Sequence, residues 1–163
     1  MLRLRLLVSV IAATVLTVAL AAPALAQSPV ENFSIKWRGE LEVIEAGGVA
    51  TCAPPQVCGD PDAVGHAQIQ VIPDENMVCF TLTWARVDGT VFAAHIHPGV
   101  AGDAGGVLVP LFGPGQFAGQ GAQHGCVTTS PENIAAILEN PEAFYVNIHS
   151  TAFPAGALRG QLG

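Results

Sequence analysis

Basic side chains are scarce in this chain: six lysines and arginines stand against thirteen acids over 163 residues, a formal charge of −7. Two of the six, Arg3 and Arg5, fall in a leader expected to be removed. The four that remain, Lys36, Arg38, Arg86 and Arg159, against thirteen acids take the charge to −9. A surface this acidic repels phosphate backbones, so nucleic acid is excluded as a partner. There is no glycine-rich phosphate loop, no internal repeat and no nucleophile-elbow motif. A Ser-His-Asp or Cys-His arrangement cannot be assembled either, because each of the four cysteines is better used in a disulfide. These absences weigh against an enzyme. Beyond residue 22 no apolar run is long enough to cross a bilayer, so no membrane span is expected in the mature chain.

What precedes that point has the order of a secretory leader. Arg3 and Arg5 form a positive start, Leu6 to Ala22 is apolar without a charge, and Ala24-Leu25-Ala26 fits a small-x-small cleavage site. Residues 1–26 are therefore expected to be a cleaved signal peptide and residues 27–163 a single domain, secreted or periplasmic. Cys52, Cys58, Cys79 and Cys126 all follow the cleavage site, and an oxidising compartment favours disulfides. Of the three pairings that four cysteines allow, the reading prefers Cys52–Cys58, closing a short proline-containing loop, with Cys79–Cys126 tying two strands. A cysteine metal site is the lesser alternative, since the spacing does not resemble a zinc finger.

The remainder reads as short strands. Alternation over Phe33–Trp37 resumes at Leu41–Val43, with a kink or bulge at Gly39. Ala46 to Gly65 is rich in Gly, Pro, Asp and Cys and predicts a long loop. His66–Ile72 and Cys79–Trp84 form a hairpin around Pro73-Asp74-Glu75-Asn76. Strands are also predicted at Val91–His97, Gly106–Phe112, Cys126–Thr129, Phe144–His149 and Ala157–Leu162, with Pro110 placing the second of these at an edge. Ser130-Pro131-Glu132 starts one helix with Ile134, Ile137 and Leu138 on one face, and Asn140-Pro141 stops it. The expected class is all-β, a Greek-key-like β-sandwich or barrel with one short helix.

One stretch carries chemistry. In Ala94-His95-Ile96-His97-Pro98-Gly99 the two imidazoles share a strand face, and a loop of glycines and small residues follows to Gly106. Parity also puts Tyr145, Asn147 and His149 on the polar face of a later strand, while Phe92, Ala94, Ile96, Phe144, Val146 and Ile148 take apolar faces. If the two strands are neighbours, His149 joins His95 and His97. Three imidazoles suit Cu or Zn, whereas Ca²⁺ wants carboxylates. The competing reading is that these histidines hydrogen-bond loop backbones and organise the turn. Arg159 is expected to be a strand arginine paired on the surface, with anchoring of Asp103 or steering of a small anion as the alternatives, and His66 and His124 stand alone on exposed strands.

With these residues in view the chain resembles the CHRD family, named after chordin and found singly in exported bacterial proteins. The matching pieces are Ala94-His95-Ile96-His97 with its glycine-spaced loop, and Tyr145-Val146-Asn147-Ile148-His149 followed by Phe153-Pro154-Ala155-Gly156-Ala157-Leu158-Arg159-Gly160-Gln161-Leu162. The likeness extends over roughly Ile35 to Leu162, with one departure where Pro98 follows His97 directly. It implies an exported binding module for an unknown protein or surface ligand; together with the histidine face it leads to the expectation of a non-catalytic module holding copper or zinc on His95, His97 and His149. A more distant likeness, of pattern only, is to copper-zinc superoxide dismutase, which keeps a copper redox enzyme as an alternative. A structural protein of the envelope or matrix is the third.

Overall fold

The structure is a computed structural model that describes residues 27–38, 45–46, 49–50, 59–116 and 121–163. In chain order its elements are β1 (Glu31–Arg38), β2 (Glu45–Ala46), β3 (Val49–Ala50), β4 (Val64–Ile72), β5 (Met77–Ala85), β6 (Val91–Pro98), β7 (Val109–Phe112), β8 (Ala122–Thr128), α1 (Pro131–Glu139), β9 (Phe144–Ser150) and β10 (Leu158–Gln161). Eight strands join in the order β7-β6-β9-β10-β1-β4-β5-β8, every pair antiparallel, while β2 and β3 form a separate two-stranded ribbon. The end strands β7 and β8 approach each other, so the sheet curls into a nearly closed barrel. The expected all-β class with one short helix is what the chain adopts.

Alternation builds the interior. Ile35 and Trp37 of β1, Ala67, Ile69 and Val71 of β4, Val78, Leu82 and Trp84 of β5, Ala94 and Ile96 of β6 and Val146 and Ile148 of β9 are all buried in one apolar cluster. Gly65 is required by that packing, because a Cβ there would lie 1.8 Å from Trp37 Nε1, which crosses β4 to donate to the Thr83 carbonyl at 3.0 Å. The predicted hairpin turns at Pro73–Glu75, where Asn76 takes the left-handed conformation with φ 50°. Ser130 caps α1 by accepting from Asn133 N at 3.2 Å. Ile134 and Ile137 then join the core beside the β4–β5 turn.

Several boundaries differ from the sequence reading. The loop predicted to run to Gly65 ends earlier, since β4 begins at Val64, and β8 starts at Ala122 rather than Cys126. Gly39, Leu41–Val43 and the Cys52–Cys58 pair lie outside the described residues. Cys79 and Cys126 sit opposite each other on β5 and β8 and are joined. Among the described residues no helix is long and apolar enough to cross a membrane.

Candidate metal centre

β6 and β9 are hydrogen-bonded neighbours, and their register decides which side chains meet. His95 faces Asn147, His97 faces Tyr145 and Ala93 faces His149, so His149 lies on the diagonal from His95, on the same outer face of the barrel. All seven residues of β9 are buried, because segments 99–106 and 151–157 fold over this face and turn the polar side of the strand into a second interior.

One ring nitrogen from each of His95, His97 and His149 lies within 4.8 Å of the other two. His97 donates Nδ1–H to the Gly105 carbonyl at 2.8 Å, and His149 donates Nδ1–H to the Pro154 carbonyl at 3.1 Å. A neutral imidazole that donates from Nδ1 carries its lone pair on Nε2. His149 Nε2 therefore accepts from His95 Nδ1–H at 3.0 Å. His97 Nε2 lies 3.1 Å from Asn147 Oδ1; with Nδ1–H given to Gly105 this nitrogen carries a lone pair, and it meets a donor only when the amide is turned to present its NH₂. Burial, with His149 and His97 beside it, lowers His95 to about 4, and burial holds His97 and His149 below the ordinary histidine value. All three rings are neutral at pH 7, the form that binds metals.

A second set of contacts fixes the cover. The Tyr145 ring lies parallel to His97, 6° from coplanar with centroids 4.9 Å apart, and the Arg159 guanidinium sits 3.4 Å over the same ring. Arg159 is buried rather than paired on the surface: it donates to the Asp103 main-chain carbonyl at 2.5 Å, not to the carboxylate, to the Val100 carbonyl at 2.8 Å and to Gln161 Oε1 at 3.0 Å. Only 1% of Arg159 is exposed, so it fastens the loop and is sealed from a free anion. Tyr145 in turn accepts from Gly105 N at 3.2 Å.

His66 and His124 are placed elsewhere, on β4 and β8, each at least three strands from β9 in the sheet order. His66 shares a hydrogen bond with Ser34 Oγ at 2.9 Å. Parity fails at one position. A bulge between Val91 and Ala93 swings Phe92 off the core face, and its ring comes to 6.3 Å from His149. No signal in the sequence announces that bulge. The carbonyls of Gly105 and Pro154 were equally hidden, since a backbone acceptor has no residue type.

A family model described as CHRD domain matches residues 45–162. The chain belongs to the CHRD family. Within this CHRD domain the match takes in β6 with its loop and the β9–β10 pair, which together supply every side chain of the cluster and its cover. No curated protein and no solved structure matches the chain.

Proposed function

We propose that this CHRD domain is an exported binding module that holds a copper or zinc ion on His95, His97 and His149. The observation that carries the reading is the convergence of one ring nitrogen from each of the three histidines within 4.8 Å of one another; the Nδ1–H bonds of His97 and His149 to backbone carbonyls, which the loop-organising reading also expects, hold their rings in place. Metal-ligating histidines ordinarily anchor their second nitrogen in this way, which fixes ring and tautomer in advance. Two nitrogens bound tetrahedrally to one Zn²⁺ are about 3.3 Å apart at ordinary Zn–N lengths. His95 Nδ1 and His149 Nε2 are already at 3.0 Å, and an ion would replace the proton they share. The His97 Nε2 lone pair would turn from Asn147 to the ion. Imidazole donors suit copper and zinc, and the grouping contains no carboxylate among the described residues to attract Ca²⁺. Export is supported by the leader-like residues 1–26 and by the Cys79–Cys126 disulfide.

The test is metal titration of untagged, chelator-treated protein. A single equivalent is expected to bind, and His95→Ala, His97→Ala or His149→Ala each to weaken it at least about tenfold, in the range that loss of a ligand or of its support produces. His66→Ala and His124→Ala should leave the affinity unchanged. Equal loss at all five positions, or no saturable binding at neutral pH, contradicts the proposal.

A further inference from the structure

We infer that the ion this centre selects is monovalent copper, Cu(I), held by three neutral imidazoles with no anionic ligand. The inference rests on the metal-binding reading above and names the ion.

The argument is electrostatic. Among the described residues the grouping of potential ligands is His95, His97 and His149 alone, without a carboxylate or thiolate. His97 is 6% exposed and His149 9%, under a cover of loop backbone. An ion bound there keeps its whole charge, since neutral ligands cancel none of it. The Born cost of moving an ion out of water grows with the square of its charge, so it is about four times larger for a divalent ion than for a monovalent one. A fixed cation makes the difference larger: the Arg159 guanidinium is packed on Tyr145, which itself stacks on His97. Repulsion from that fixed charge is proportional to the charge of the ion. Three histidines hold Zn²⁺ where a water completes a fourth, open position, and Cu²⁺ prefers a tetragonal plane of nitrogen and oxygen donors. Cu(I) has a filled d shell, demands no tetragonal plane and accepts three nitrogen donors. The three donors offered here lie on one sheet face, two from β6 and one from β9.

The experiment compares three ions on the same protein. Cu(I), kept reduced under anaerobic conditions, is titrated in competition with bicinchoninate, and Cu(II) and Zn(II) are titrated in competition with chromophoric chelators. The expected result is Cu(I) binding at least about tenfold tighter than either divalent ion, lost in His97→Ala, with copper K-edge absorption showing three nitrogen neighbours. Arg159→Gln supplies the electrostatic readout. Removing the guanidinium should raise the affinity for Zn(II) by about the square of the factor by which it raises that for Cu(I), because the repulsion is twice as large. Arg159→Lys, which keeps the charge, should show no such divergence. Divalent binding as tight as that of Cu(I) overturns the cuprous assignment while leaving the metal centre in place; absence of a single saturable equivalent for all three ions overturns both. If Arg159→Gln does not fold, the comparison of the three ions on the unaltered protein decides alone.

Discussion

His95 is the one histidine of the cluster left half-exposed, and it still sits at about 4 because burial and two neighbouring imidazoles oppose its charge. That displacement ties stability to pH. In the unfolded chain the ring titrates near 6.5, whereas the folded chain takes up the proton only near 4, so between these values the unfolded state binds more protons. The stabilisation from the neutral cluster is fully present above pH 6.5 and is lost as pH falls toward 4. His97 and His149 are lowered too and act in the same direction. Metal-free protein should therefore show a denaturation midpoint that drops on acidification through this window, and His95→Asn should flatten the drop. An unchanged slope in the variant would contradict the assignment. Carboxylates contribute to acid sensitivity as well, so the difference between the two proteins is the quantity to measure.

At the scale of elements, the loop after β6 is as much part of the centre as the strand. Gly105 shows why. A Cβ there would lie 1.9 Å from the Pro98 carbonyl oxygen, so the residue is glycine for close approach, while Gly102 with φ 92° serves the turn the sequence suggested. Gly105→Ala should push the loop off β6, drawing the carbonyl away from His97 and the amide from Tyr145. A stability loss of about 1–3 kcal/mol is expected, as for overpacking in a tight interior, together with weaker metal binding. Gly106→Ala, where nothing lies within 4 Å of the added carbon, is the matched control and should be close to neutral. Equal behaviour of the two variants in calorimetry would refute this account. The same elements show what was legible beforehand. Period-two alternation is a local property, and it placed His95, His97, Tyr145, Asn147 and His149 on one side of their strands. The pairing of β6 with β9 and the insertion of β10 between β9 and β1 depend on contacts far apart in the chain, which local pattern does not encode. The bulge that moved Phe92 belongs to that second kind: it arises from fitting two strands together, and neither strand reveals it alone.

For the molecule as a whole, the weak point of a nearly closed barrel is the seam between its end strands. β8 is bonded in the sheet to β5 on one side, and its other neighbour across the gap is the four-residue β7. The Cys79–Cys126 disulfide lies on the bonded side, joining directly opposed residues and closing a separation of 47 residues that contains β6, β7 and the segment 99–106 over the histidine cluster. In the loop-entropy description a cross-link of that span is worth about 4 kcal/mol, through restriction of the unfolded chain. Replacing both cysteines with serine should lower the unfolding free energy by about that amount, a large share of the roughly 5–15 kcal/mol that a domain ordinarily has. Urea denaturation of oxidised protein and of the double variant measures the difference. The proposed metal centre should keep its affinity in the variant below its transition, because His95, His97 and His149 are held by β6, β9 and their loops rather than by β8. Loss of metal affinity in the still-folded variant would show instead that the seam and the centre are coupled through the barrel.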